Sequence, residues 1–370
     1  MSKIKLPIFK SSTPPFGLDI SDYSLKLVSL QKTNKLTISK KHKSIFLNTF
    51  NQVSVPEGYF NQGEILQKEK IADLIKKLVA SSGNNIKLSK YVISVLPETK
   101  AFIKLIEIPN TTEENIEEEV LKEIKNHFPF SPDEIYIDWQ EIESNNPDKI
   151  NIIVSIAPKK IIDDYTDLLL SAGLKPLALE IESQAICRAL LTEEIRPPDI
   201  DSKSSYMIID IGAARTSLIF YDQKTIQFTT SVPFSGKKIT EKIAQKLKIN
   251  SQEAEKAKIK CGLTDKKCQD ILSKILFKDI EDMITKIKNS LLFYGNHFPD
   301  NNPIKKIILA GGGSNFQGLD VLLANKLALK VEKGNPLINI NKVRIQIPKN
   351  QLLSYTTTIG LALRGALIND

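Results

Sequence analysis

Long apolar runs are missing: nowhere in the 370 residues do consecutive apolar positions approach the roughly 20 that a membrane-spanning helix needs. Residues 1–10 also lack the apolar centre of a secretory signal, so the expectation is a protein that stays in the cytosol. Cysteine is scarce. Cys187, Cys261 and Cys268 are odd in number and lack metal-ligand spacing, which argues against a disulfide scaffold or zinc motif and leaves structural thiols. The histidines, His42, His127 and His297, lie far apart with no Ser or Cys constellation around them, so neither a hydrolase triad nor a metal site follows. Arginine supplies only five of the 51 basic residues. Readers of bases and phosphates lean on arginine forks, so the net charge of +8, carried by dispersed lysines, reads as solvated surface and no nucleic-acid partner is expected. The cluster Lys40, Lys41 and Lys43 is the one short run that would favour an acidic membrane surface.

What is present is a repeated hairpin. Tyr206 to Phe220 reads as a hydrophobic strand ending in Asp210, a turn through Gly212, and a second strand starting near Thr216. Gly17 to Leu30 shows the same order, with Asp19, Ile20 and Ser21 before an apolar strand that carries Ser24 and Lys26. Two carboxylate-bearing hairpins suggest two related half-molecules around a shared cleft, where turn N–H groups would hold phosphate and Asp19 and Asp210 the hydration shell of Mg²⁺. For either aspartate alone the plainer reading is a turn capped by its own backbone. A third stretch, Ile304 to Leu309, reads as a buried strand followed by Gly311, Gly312 and Gly313, a turn whose lack of Cβ atoms lets backbone approach a flat ring.

With these residues in place the chain resembles the actin-like ATPases. Asp19 to Lys26 matches the first phosphate motif, Asp210 to Thr216 the second, and Ala310 to Gly313 the adenosine motif. Within that superfamily it is similar to the PilM family of type IV pilus assembly proteins, relatives of the division protein FtsA, along nearly the whole chain. The resemblance implies an α/β, actin-like (ribonuclease H-like) duplicated two-domain ATPase fold with a small inserted α+β subdomain. It also implies ATP and Mg²⁺ as cofactors, held by Asp19, Ser21, Ser24, Lys26, Asp210, Gly212, Thr216, Gly236 and Gly311 to Gly313. Glu255 and Lys258 match a pair that contacts ribose and base, with a helix-surface ion pair as the alternative. Glu182 lies where relatives position the attacking water. Ser21 stands where many relatives have glycine, and Asp22 adds a negative charge beside it, so reduced nucleotide affinity is expected.

Residues 1–97 are assigned to the first actin-like domain, with a turn at Asn34 before the strand Leu36 to Phe46. Residues 98–173 are the inserted, partner-binding subdomain, and 174–203 return to the first domain. The second domain occupies 204–236 and 301–353 around a helical subdomain at 237–300, and 354–370 form a helix that packs back on the first domain. In the helical subdomain Ser251 is expected to cap one helix, and Ile271, Ile275, Ile280, Ile284, Ile287 and Leu291 to face inward on the next. Phe128 and Phe130 flank Pro129 at a helix end, either covering the small subdomain's core or anchoring a partner peptide. The function implied is a cytoplasmic ATP-binding scaffold at the inner face of the membrane. It docks the N-terminal peptide of a PilN-like inner-membrane protein, reaches the membrane through that partner, and is at most a slow ATPase. A homo-oligomer is left open. The alternatives are an FtsA-like division protein, which wants a C-terminal amphipathic anchor, and a small-molecule kinase, which wants a general base aimed at a substrate hydroxyl.

Overall fold

The computed structural model describes residues 13–37, 40–83, 86–127, 131–142, 147–192, 205–263, 269–298, 301–343 and 345–368. The chain opens with β1 (Phe16–Ile20), β2 (Ser24–Thr37) and β3 (Lys40–Ser54), antiparallel in that order. Every residue of β1 is buried, as in a strand covered on both faces. Asn34 does not turn the chain. It lies inside the ladder opposite Lys43, because the 14-residue pairing of β2 and β3 outweighs the local preference of one asparagine. A small ribbon, β4 (Phe60–Asn61) with β5 (Glu64–Ile65), precedes helix α1 (Lys68–Ser81), whose Ile71, Ile75 and Leu78 enter the core at helical spacing. Strand β6 (Tyr91–Leu96) then pairs parallel with β1.

The insertion contributes β7 (Phe102–Pro109), α2 (Glu113–His127), β8 (Ile135–Ile142) and β9 (Lys149–Pro158). Ile106, Ile108, Ile116, Val120, Ile124, Ile152 and Val154 form its own core. Helix α3 (Lys159–Ser171) belongs elsewhere: Ile161, Tyr165, Leu168 and Leu169 join the first domain's cluster with α1. The chain returns through β10 (Lys175–Ile181), parallel to β6, and crosses to the second half along α4 (Glu182–Leu190).

The second half repeats the first. Strands β11 (Tyr206–Ile211), β12 (Thr216–Asp222) and β13 (Thr225–Val232) are antiparallel neighbours. Helices α5 (Gly236–Leu247), α6 (Ser251–Cys261) and α7 (Gln269–His297) follow. Asn250, one residue before the expected Ser251, caps α6 in a reciprocal box with Glu253. The inward stripe of α7 is also phased one residue later at its start: Leu272, Leu276, Ile280, Met283, Ile284 and Ile287 are buried, whereas Ile271 is exposed. Cys261 is disulfide-bonded, so among the described cysteines the thiol reading holds only for buried Cys187. Strand β14 (Lys306–Ala310), α8 (Leu319–Leu327), β15 (Lys330–Lys333), β16 (Lys342–Val343), α9 (Lys349–Leu352) and α10 (Thr356–Leu367) complete the fold.

The first sheet runs β10-β6-β1-β2-β3-β16 and the second β15-β14-β11-β12-β13-β7-β9-β8. The duplication extends to register, since Asp19 faces Lys26 across β1 and β2, and Asp210 faces Ser217 across β11 and β12. The inserted strands extend the second sheet through β7, which pairs antiparallel with β13 with Lys104 opposite Phe228. Helix α10 lies on β1 and α4, which is why Gly17 and Gly360 carry no side chain. A Cβ on Gly17 would lie 2.4 Å from the Thr358 carbonyl oxygen, and one on Gly360 would lie 1.8 Å from that of Ala185. Among the described residues no helix is long and apolar enough to cross a membrane.

Candidate functional site

The two carboxylate turns face each other across a cleft of about 850 Å³. Asp19, near the end of β1, is only 4% exposed, and its ladder partner Lys26 donates to Oδ2 at 3.3 Å. Its Oδ1 is buried and has no hydrogen-bond partner. Orphaned acceptors of this kind are costly in a folded protein, and a hydrated cation would satisfy this one. The Ser21 hydroxyl donates to the Ser24 carbonyl at 2.9 Å and fixes the turn. Asp22 also lines the cleft, and its Oδ1 accepts from the Gly63 amide at 3.0 Å, so its charge is partly engaged by the β4–β5 turn.

On the opposite side Asp210 is next to last in β11, before the turn closed by the Gly212 amide, which donates to the Arg215 carbonyl at 2.9 Å. Burial, reinforced by the Asp19 carboxylate, pushes the Asp210 acid up to about 6. Gly311 has a φ of 79°, and a Cβ there would fall 2.6 Å from Asp210 Oδ1. Gly313 would meet Ile211 Cγ2 at 2.3 Å. Two of the three glycines are thus required by packing against the carboxylate-bearing strand, and only Gly312 has room for a side chain, its nearest neighbour being Ser354 Cβ at 3.4 Å.

Asp19, Ser21, Ser24, Lys26, Glu182, Asp210, Gly212, Gly311 and Gly312 all line this cleft. Gly313, Thr216, Gly236, Glu255 and Lys258 are outside its described lining. Thr216 is fully buried and its hydroxyl donates to the Phe234 carbonyl at 2.7 Å. Gly236 opens α5 and its amide donates to the Gly212 carbonyl at 3.0 Å. Lys258 and Glu255 form a 2.7 Å ion pair, and Lys258 also donates to the Gly236 carbonyl at 3.1 Å and the Thr240 hydroxyl at 2.9 Å. These bonds make the ammonium a brace behind the Gly212 turn. Phe128 and Phe130 lie outside the described residues.

The motif reading passed over two charged residues, Arg215 on the cleft lining and Glu98 outside its described lining. Arg215 reaches across the cleft and its Nη2 donates to Glu182 Oε2 at 3.0 Å. Glu98, directly after β6 and Pro97, accepts from the Ser183 amide at 3.2 Å, while its Oε1 is buried without a partner. Burial pushes Glu182 up to about 8 against the pull of Arg215, with Asp19 and Glu98 adding to the rise. Burial likewise raises Glu98, opposed by its hydrogen bond with Thr229 and by Arg215. Both residues carried a sequence signal. Arg215 stands inside the Asp210 to Thr216 motif, and Glu98 falls where the repeat places the second half's glycine turn.

The donor set fits a nucleotide with a hard cation. Carboxylate oxygens converge from both halves, a lysine stands beside one of them, and glycine turns border the cleft. Among the described residues no group of three or more His, Cys, Asp or Glu side chains is placed to grip an ion directly. Asp19 and Asp210 are the residues that would hold Mg²⁺, and the ion would supply charge neutralisation there.

A second concavity, of about 610 Å³, opens at the junction of the insertion with both halves. One wall is β8, the outermost strand of its sheet, with Asp138 to Ile142. Another is Glu180, Arg188 and Arg364. Glu180 is 2% exposed and is paired with Arg188 and, at 3.4 Å, with Arg364. Tyr221, Lys224 and Thr225 close it from the second half.

The family model described as type IV pilus assembly protein PilM matches residues 17–366. Among solved structures, the chain is similar to one titled PilM-PilN type IV pilus biogenesis complex, at 23% identity and TM-score 0.80, with 96% of this chain and 99% of that one covered. The ethanolamine utilization protein EutJ of Carboxydothermus hydrogenoformans follows at 14% identity and TM-score 0.55, covering 97% of this chain and 92% of that one. MreB5 of Spiroplasma citri bound to ADP aligns at 14% identity and TM-score 0.51 over 97% of this chain and 98% of that one. The fold is actin-like.

Proposed function

The chain belongs to the PilM family of type IV pilus assembly proteins, and from that premise we propose that it is a scaffold that binds Mg-ATP between its halves and docks a PilN-like partner. The observation that carries the nucleotide half is the meeting of Asp19, Asp210 and the Gly311 turn in one cleft. The similarity to structures of MreB5 of Spiroplasma citri bound to ADP and to AMPPNP supports it. Slow or absent hydrolysis is part of the reading, because Glu182, the candidate for positioning water, is engaged by Arg215.

The partner would be the N-terminal cytoplasmic peptide of a PilN-like inner-membrane protein, by analogy with the complex named above. Support comes from the groove beside β8: an outer strand offers backbone groups to an extended peptide, and the Arg188, Arg364 and Glu180 cluster offers polar anchors. Phe128 and Phe130 are proposed as apolar anchors of the same partner. The protein would then work in the cytoplasm, at the inner face of the membrane, held there by its partner. Titrating the synthetic peptide into the protein tests this: saturable one-to-one binding is expected, and absence of binding at millimolar peptide removes the docking role. Phe130→Ala should weaken the peptide by about tenfold or more, as aromatic anchors commonly do, while leaving Mg-ATP binding intact.

A further inference from the structure

Among the described residues of the cleft lining Arg215 is the arginine, a cation with more donors than its described bond uses. Lys26 is held by Asp19, Lys258 braces α5, and Lys238 donates to the Pro233 carbonyl. Lys237 is spent at the cleft mouth on Glu57 at 3.0 Å and lies over the Tyr23 ring at 4.6 Å. Arg215 makes its described side-chain hydrogen bond through one nitrogen, to Glu182, and is 20% exposed on the cleft lining. A guanidinium has five N–H donors in a planar fork, and that fork matches phosphate oxygens as well as it matches a carboxylate.

The position is also specific. Arg215 belongs to the turn that begins at Gly212, whose intervening side chains are only the methyl groups of Ala213 and Ala214. Its backbone is pinned by the Gly212 amide, and it is the one long side chain the turn sends toward the cleft. Glu98, Glu182 and Asp210 lie close to it, and its charge favours the ionised form of each. Glu182 is the first residue of α4, so the Arg215 to Glu182 bond joins the phosphate turn of one half to the crossing helix of the other.

We propose that Arg215 is a positioning residue shared between Glu182 and the terminal phosphate of a bound nucleoside triphosphate, so that its guanidinium distinguishes tri- from diphosphate and passes that difference to α4. The inference rests on the nucleotide-binding reading and adds to it which residue senses the third phosphate. With a diphosphate the fork stays on Glu182; with a triphosphate its remaining donors take up phosphate oxygens, the strong charge-assisted kind of bond. Lysine, a point charge without a fork, would serve only in part.

Calorimetric titration of Mg-ATP and Mg-ADP into the wild type, Arg215→Ala, Arg215→Lys and Glu182→Gln tests it without reference to turnover. Arg215→Ala should weaken Mg-ATP about tenfold or more and Mg-ADP less than about twofold, removing most of the preference for triphosphate. Arg215→Lys should recover part of that preference, and Glu182→Gln, which keeps an amide oxygen for the guanidinium, should retain it. Equal weakening of both nucleotides in Arg215→Ala, or no change in either, overturns the inference while leaving nucleotide binding in place. A wild type that binds neither nucleotide overturns the nucleotide reading itself, and this inference with it. Should Arg215→Ala melt well below the wild type, the Arg215→Lys ratio decides: a ratio equal to that of the wild type shows that a fork is not required and refutes the proposal.

Discussion

Glu182 and Asp210 are acids that the fold prefers protonated, since burial raises the first to about 8 and the second to about 6. An acid whose folded pKa lies above its unfolded value supports stability below the unfolded value, and that support is lost as pH climbs through the folded one. For Glu182 the window runs from the ordinary glutamate value of 4.5 to about 8. The melting temperature should therefore fall as pH rises from 5 to about 8.5, and Glu182→Gln should flatten the decline; an unchanged slope would show that another group governs it. Asp210→Asn should raise the melting temperature of the free protein above pH 6 by removing a half-buried charge beside Asp19, while abolishing the stabilisation that Mg-ATP gives; scanning fluorimetry reads both effects. The aspartates were legible in the sequence because the same strand, carboxylate and turn recur with the same ladder offset, Asp19 to Lys26 and Asp210 to Ser217. Thr216 and the Glu255 and Lys258 pair were matched by spacing alone, and spacing does not say which way a side chain turns. Thr216 turns to the Phe234 carbonyl and Lys258 to the Gly236 carbonyl because buried polar atoms must find partners close at hand.

Among the elements, α10 shows most directly how packing outranks local preference. Its sequence, Thr356 to Leu367, is apolar nearly all round, and it is buried along almost its whole length against β1 and α4. Gly360→Ala would drive a methyl group into the Ala185 carbonyl, at 1.8 Å before relaxation. The helix must then shift, and overpacking of this kind typically costs about 1–3 kcal/mol. A melting temperature lowered by several degrees is expected, whereas an unchanged one would mean that α4 and α10 separate more easily than their fit implies. Gly311→Ala combines the clash at Asp210 with a positive φ, so it should lower both stability and nucleotide affinity. Existence and type of the long elements could be read from periodicity, but their phase could not. On α7 both Ile271 and Leu272 suit an apolar stripe, and only contact with the second half's core selects Leu272. Helix α3 follows the inserted strands in sequence and yet packs on α1, a choice made by Tyr165 and Leu168 filling the first domain's core.

The whole molecule is two copies of one five-strand arrangement, β10-β6-β1-β2-β3 and β15-β14-β11-β12-β13, with the insertion's strands extending only the second. The duplication was legible because two hairpins repeat in sequence. The extension was not, since it depends on Phe228 meeting Lys104 across a long stretch of chain. Both halves supply the cleft, and their contacts across it include the Arg215 to Glu182 and Lys237 to Glu57 pairs. A ligand bridging Asp19 and Asp210 would therefore stabilise the two halves together. A ligand at a hundred times its dissociation constant adds about 2.7 kcal/mol to the folded state. Calorimetric titration of Mg-ATP into the wild-type protein tests the central claim most directly: one saturable site per chain, dependent on Mg²⁺ and lost in Asp19→Asn, is the expected result, and no heat of binding together with no melting shift at millimolar Mg-ATP would contradict it.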